Sequence, residues 1–454
     1  MTRVTSHGMR EIGVLTLFAA LCAGCVTSHH ATESIELAPL PMRPRIALLG
    51  APIASEPLQL DDLLTLAARH HPDLQIAKAR IEASRGKLVQ AGLYPNPVMG
   101  PRMNQLGDGH NALGEAGFTV MQTIVTANKL DIAQAAARCE IDAASWQALA
   151  RWHDVMARAR VAFFDWLTAQ RELDTVQEIV RVSDEAVQSA RKLAKAGAGN
   201  RPDELRAKVE WEQNRLRFDI AQKRLETTRQ NLLTALGRPD ITLDLMPESK
   251  NLLDLAPPVF EWSAMVERLR DYSSELQTTR ATIAQLEKLE AKAKADVIPN
   301  VDVTLNPFYS APIKEMHGLV IVTAAIPIFN RNQGNIQAAR ADLARAHAEE
   351  RQTELRLIDR LAAAYQRYQA GKLQTEAFQK HILPDARESL KLVQAGYRQG
   401  DAKYDYTAVL QAQQVLFQAQ LTHTLSLGDL WRSIAEIAGI LELQDATAGC
   451  APPR

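Results

Sequence analysis

Cysteine is nearly missing from this sequence, with four in 454 residues. Cys22 and Cys25 stand within the first 25 positions, which leaves only Cys139 and Cys450 beyond. Cys139 falls in a helical stretch and Cys450 in a Pro-rich tail, so no disulfide framework is expected. Aromatics are also scarce, at 5%. A chain poor in large rings and rich in Ala, Gln, Leu, Arg and Glu suits extended helical packing better than one large globular core. Net charge is lacking too: the formal value of −1 gives no electrostatic footprint for nucleic acid or another polyanion. No uncharged apolar run of 18 residues occurs after residue 25, so spanning a membrane by helix is not expected. Spanning by strands leaves a much weaker mark and stays open.

Motifs for enzyme chemistry are equally thin. The Gly-x-Gly at Gly197 and Gly199 follows a helix rather than a strand, so it fails the structural test for a nucleotide loop. "GDGH", from Gly107 to His110, reads as a turn between two strands. His29–His30 and His70–His71 are adjacent pairs, not the same-face spacing of helical zinc ligands. No catalytic residue, metal site or cofactor is assigned.

Glycine and proline are absent where the helix signal is strongest, from 118 to 196 and from 203 to 236. Leu149, Trp152, Met156, Ala159, Phe163 and Trp166 follow at steps of three and four. Leu173, Val180 and Val187 extend that seam every seven residues, which is coiled-coil spacing. A helix from Lys129 to Ala196 would be about 100 Å long. Its counterpart runs from Asn330 towards Arg398, with Pro384 expected to kink or break it. The helices reverse at "KAGAGNRPDEL" and "YRQGDAKYDY". There Gly197, Gly199 and Gly400 end helices, and Asp203 or Asp405 could cap the next.

The chain is written twice. Leu74 matches Leu276, Pro95 matches Pro299 and Ile132 matches Ile336, a steady offset that marks an internal duplication. The expected organisation is a signal segment over 1–25, an extended tether over 26–57, repeats over 58–250 and 251–445, and a tail over 446–454. Each repeat holds two strands and a helical hairpin, over 129–236 in the first and 331–441 in the second. The strands are expected at Val98–Leu106 and Gly117–Val125, then at Val301–Tyr309 and Gly318–Phe329. Val301, Val303 and Leu305 alternate with Asp302, Thr304 and Asn306, giving a two-faced strand. Four strands cannot close a barrel, since about eight are needed even for a filled one. Several chains must contribute.

Arg3 and Arg10 followed by the apolar run Ile12–Leu21 read as a targeting segment. "LCAGC" resembles a bacterial lipoprotein signal, which implies lipid on Cys25 and an outer-membrane destination. The alternative is a plain secretory signal cut at a small residue.

The segments "AGLYPNP", "AAIPIFNRNQGNIQAARA" and "YRQGDAKYDYTAVLQAQQ", together with the return helix through "AGILEL", resemble the TolC-like outer-membrane efflux protein family. The resemblance covers about residues 58–445. It implies a mainly α chain with a transmembrane β-barrel, in which a homotrimer pools four strands per chain into a 12-stranded wall. A periplasmic coiled-coil tunnel continues that wall. It implies a passive conduit in the outer membrane of a Gram-negative bacterium, lipid-anchored and extending into the periplasm. Its partners would be a periplasmic adaptor and, through it, an inner-membrane pump. Pro95, Pro299, Asn330 and Gly334 would lie at the barrel–tunnel junction, where Gly334 permits the bend. Gly197, Asn200, Arg201, Pro202, Gly400, Asp401 and Tyr404 would form the gate and adaptor-docking end. There Asn200, Arg201, Asp203, Asp401 and Lys403 pair across chains, pair with the adaptor, or merely cap and solvate the turns. A structural or adaptor-like coiled-coil lipoprotein is the alternative, and the duplicated strand pairs count against it. Substrate class, metal cations or drugs, is not legible, and no Met or His cluster favours metal.

Overall fold

The computed structural model describes residues 60–104, 114–195, 200–240, 249–311, 313–399 and 403–443. Cys25, Gly197, Gly400 and Asp401 lie outside the described residues, as do Gly199, Cys450 and the "GDGH" segment.

Each repeat opens with two short helices. In the first these are α1 (Leu60–His70) and α2 (Pro72–Ala91). They part at His71, whose Nδ1 accepts the Asp73 N–H at 3.2 Å, while Pro72 opens α2 where its missing N–H costs nothing. Strands β1 (Val98–Asn104) and β2 (Glu115–Ile124) lead into the helix α3 (Lys129–Lys195) and the return helix α4 (Arg201–Ala235). A 3₁₀ turn (Ser249–Asp254) precedes the second repeat. There α5 (Trp262–Tyr272), α6 (Ser274–Ala295), β3 (Val301–Ser310) and β4 (Glu315–Ala324) repeat the order. The long helix of this half is interrupted: α7 (Gln333–Ala377), a π turn (Phe378–Ile382) and α8 (Leu383–Gln399), before the return helix α9 (Tyr406–Ile440). Pro384 thus sits in the first turn of α8, just past an interruption that absorbs its missing donor.

The duplication extends to backbone detail. Asn128 and Asn332, just ahead of the two long helices, are both left-handed, with φ of 52° and 57°. Gly237 and Glu442, just past the return helices, are left-handed as well, with φ of 73° and 55°. At each of these ends the following N–H folds back, Arg238 to the Leu233 carbonyl and Leu443 to that of Ala438.

The strands form one antiparallel sheet in the order β1-β2-β3-β4, with β1 and β4 at its edges. The register fixes its two faces. Val301 lies opposite Ile124 and Ala324, and Val303 opposite Gln122 and Val322. Met99, Met103, Val120 and Leu305 share that largely apolar face. Asp302, Thr304 and Asn306 lie on the other, where Thr123 and Thr119 donate to Asp302 and Asn306 at 2.6 Å. The expected alternation along β3 is therefore present. The strand ends differ: β4 starts at Glu315 and stops at Ala324, so Pro327 and Phe329 follow it rather than end it.

The core lies where both repeats meet. Phe164 stacks on Trp431 at 5.3 Å, the Trp431 indole donates to the Leu253 carbonyl at 3.0 Å, and Phe163, Met265, Leu361 and Ile434 are buried around them. Met156, Ala159, Phe163 and Trp166 are buried as their spacing predicts. Beyond them the seam changes phase. Ala169, Val176, Ser183 and Ala190 are buried every seven residues, while Leu173, Val180 and Val187 are only half-buried. The cause is that α3 serves two partners, α4 and α9, so burial shifts to the positions between them.

Candidate functional site

Two regions carry the residues singled out from the sequence. The first is the passage from strand to helix. Lys129, at the start of α3, is 8% exposed, and its Nζ donates to the Ile298 carbonyl at 2.5 Å and to Asn300 Oδ1 at 2.7 Å. Thr126 adds a hydroxyl donated to the Pro299 carbonyl at 2.7 Å. The Pro299–Asn300 step is thus a receptor for the first repeat's helix start. Pro95 has a lesser part, its carbonyl accepting from Gln122 at 3.1 Å.

In the second repeat, Asn330 Oδ1 accepts the Asn332 N–H at 3.0 Å, and the Asn332 side chain donates to the Ala293 carbonyl at 2.7 Å. The bend is made by Asn332 in its left-handed conformation, which asparagine tolerates. Gly334 does not supply it: it lies inside α7, which begins at Gln333 rather than Asn330. The contacts of Lys129, Asn300 and Asn332 were missed by sequence reasoning. The one available signal was the asparagine preceding both long helices.

The second region is the hairpin ends. Asn200, not Asp203, caps α4: its side chain accepts the Asp203 N–H at 2.9 Å. Asp203 is the third residue of α4, directly after Pro202, and faces Arg206 at 3.6 Å instead. Asp405 does cap α9, accepting the Ala408 N–H at 2.8 Å. Arg201 pairs with Glu204 at 2.8 Å, and Arg191 reaches the same carboxylate at 3.3 Å. Hydrogen bonding from Arg191, with Arg201 beside it, holds the Glu204 carboxyl below its ordinary range.

The two ends also meet within one chain. Arg206 donates to the Thr407 hydroxyl at 2.9 Å, and Ala190, Ala207, Tyr406 and Leu410 form a small buried cluster. Burial there pushes the Tyr406 phenol up to about 12. Tyr404 lies on Gly396, where a Cβ would stand 2.4 Å from its ring. Close approach at this turn therefore requires Gly396.

An open cavity of about 980 Å³ lies between α3, α6, α7 and α9. Arginines on its wall are paired: Arg356 and Arg360 both reach Glu275, at 2.8 and 3.1 Å, and Arg158 reaches Asp73 at 2.7 Å. No group of three His, Cys, Asp or Glu among the described residues is placed to hold a metal ion. No described helix is long and apolar enough to cross a membrane. Cys139 is a free, half-buried thiol.

Comparisons with known proteins agree with this geometry. The family model described as outer membrane efflux protein matches twice, over residues 63–238 and 265–441. The cobalt-zinc-cadmium resistance protein CzcC of Cupriavidus metallidurans is 24% identical over 390 residues, covering 86% of this chain and 91% of that protein. The outer-membrane channel OprN superposes with a TM-score of 0.72 at 19% identity, over 84% of this chain and 89% of its own. The outer membrane protein VceC of Vibrio cholerae gives 0.69 at 17%, over 87% and 97%. At such identities the likeness to solved structures speaks for the fold, and the double family match speaks for the family. The chain belongs to the outer membrane efflux protein family, and it works as an outer-membrane efflux channel and not as an enzyme.

Proposed function

We propose that three copies of this chain pool their strands into one closed 12-stranded barrel, prolonged by their helical hairpins into the periplasm. The observation that carries this reading is the single four-stranded sheet with one apolar face and two open edges, β1 and β4. In a bilayer such edges must be paired, and joining β4 of one copy to β1 of the next removes them all. The sheet's apolar face then meets lipid, and the face of Asp302, Thr304 and Asn306 meets the lumen.

The hairpin ends, about 100 Å from the strands at 1.5 Å per residue, receive the periplasmic adaptor and through it the inner-membrane pump. Asn200, Arg201, Pro202 and Tyr404 form the described part of that end, and Gly197, Gly400 and Asp401 complete it. Helix ends held by short polar turns have low local stability, which suits a gate that opens when the adaptor docks. Lipid on Cys25 anchors the chain, and incorporation of labelled palmitate that Cys25→Ser abolishes checks this. Substrate choice rests with the pump. The name of CzcC carries cobalt, zinc and cadmium, but the conduit needs no metal ligands of its own to pass them.

The test is export by cells carrying Gly197→Val together with Gly400→Val. Lost export with the protein still inserted, and adaptor cross-links at 200–202 and 404 in the unaltered protein, are expected. Full export by the double variant with no such cross-links would move docking elsewhere.

A further inference from the structure

The polar face of the sheet changes character at the end farthest from the helices. There the register sets Arg102, Gly117, Phe308 and His317 side by side, in one row across β1, β2, β3 and β4. The Arg102 guanidinium lies over the Phe308 ring at 5.3 Å. The His317 ring stacks on Phe308 at 5.5 Å, with 26° between the planes. Gly117 leaves no side chain between Arg102 and Phe308. A Cβ there would stand 2.2 Å from the Pro307 carbonyl oxygen and 2.6 Å from Phe308 Cα.

The groups that hold Arg102 are neutral. With its amide turned so that the oxygen faces the guanidinium, Asn104 accepts from Nη2 at 2.8 Å and from Nε at 3.2 Å. Glu115 and Glu315 stand in the next row, beside Asn104 and Ser310. Among the described residues, however, no carboxylate pairs with Arg102. A guanidinium held by a ring face and an amide keeps its full charge, which a carboxylate partner would cancel. The rows of this face therefore run acid, base, acid. Glu115 and Glu315 come first, then Arg102, then Asp302 about 20 Å further along the strands.

In the proposed barrel this face lines the lumen, and the end with Arg102 is the outer mouth. Three copies put three Arg102 side chains at one height. Twelve strands about 4.8 Å apart and tilted about 40° make a wall about 24 Å across. The axis then lies about one Debye length from the wall at about 0.1 M salt, where that length is about 10 Å. Fixed charge on the wall is felt across the whole opening.

We propose that Arg102, clasped by Phe308 and Asn104, is the charge-selecting residue of the outer mouth. Its three copies form a cationic ring that favours small anions, and anionic groups of larger solutes, over cations. This rests on the barrel reading and adds the selectivity of its exit.

The test uses the full chain in lipid nanodiscs, with Cys139→Ser, Cys450→Ser and the reporter Gly100→Cys. Gly100 shares the face of Arg102 two residues away, and nothing stands within 4 Å of a Cβ built there. Rates of modification by an anionic and a cationic thiol reagent of like size are compared. Adding Arg102→Gln should lower the anionic-to-cationic ratio about threefold at about 0.1 M salt, the effect of a unit charge about 7 Å away in water. At about 1 M salt, where the Debye length is about 3 Å, the difference should vanish. Phe308→Leu keeps the charge but frees it to reach Glu115, so it should lower the ratio partway. A ratio that Arg102→Gln leaves unmoved, or a change undiminished in high salt, overturns the proposal and leaves the barrel standing. An unaltered ratio in Phe308→Leu overturns the clasp. The reporter Met99→Cys, on the opposite face, separates the two readings, because lipid should shield it. Modification there as fast as at Gly100→Cys would overturn the barrel reading and this proposal with it.

Discussion

Burying an ammonium group at a helix start is costly unless its protons are accepted nearby, and two of the three on Lys129 go to the Ile298 carbonyl and Asn300 Oδ1. Lys129→Met would take the donor from the Ile298 carbonyl and leave Asn300 Oδ1 only the long bond from the Thr126 N–H at 3.4 Å. A loss of about 1–3 kcal/mol in unfolding free energy is expected, read as a lowered denaturant midpoint of the solubilised protein. No change in midpoint would mean that water replaces the lysine freely.

A second residue-scale consequence lies in the core. Burial, with Arg160 and Arg268 nearby, lowers the His153 pKa from 6.5 to about 4. Above pH 6.5 the imidazole is uncharged in folded and unfolded chains alike. Between 6.5 and about 4 the unfolded chain takes up a proton that the folded chain refuses, so stability falls as pH falls. Glu442 opposes this, because burial raises its carboxyl and the folded chain gains from protonating it. The net loss should therefore stay below the about 3 kcal/mol that the histidine alone accounts for. His153→Gln should flatten the pH dependence of the midpoint over that window, and an unchanged slope would contradict the assignment. None of these partners was legible in the sequence. A lysine at a helix start reads as solvated, and His153 finds Glu442 only because the second repeat folds back on the first.

Elements were far more legible than their ends. Long stretches free of Gly and Pro become α3 and α4, and the alternation of Val301, Val303 and Leu305 becomes a two-faced strand. The phase of the seam beyond Trp166 was not legible, because which side of α3 is buried depends on a partner almost 250 residues away. The bend at Asn332 was hidden by Gly334, since glycine signals freedom while asparagine uses it here. For the sheet, Val303→Arg places a charge on the face proposed to meet lipid and should cost about 2–4 kcal/mol near the bilayer midplane. Thr304→Arg, on the opposite face, should be tolerated. Folding yield into lipid vesicles compares the two, and equal tolerance would mean that the faces are reversed or the strand lies outside the membrane.

At the scale of the whole molecule, the repeat is the organising fact, and it was the most legible one. Matched caps, matched left-handed ends and a double family match all carry the offset read from Leu74, Pro95 and Ile132. A chain built as two like halves leaves like edges unpaired at the two ends of its sheet, β1 and β4. Closure by copies of itself satisfies both edges at once, which is why the sheet leads to the proposed assembly. The most direct measurement is the native mass of the detergent-solubilised complex, by mass spectrometry without cross-linking. Three chains per particle is the predicted result, and a particle of one or two chains that still inserts and exports would contradict it.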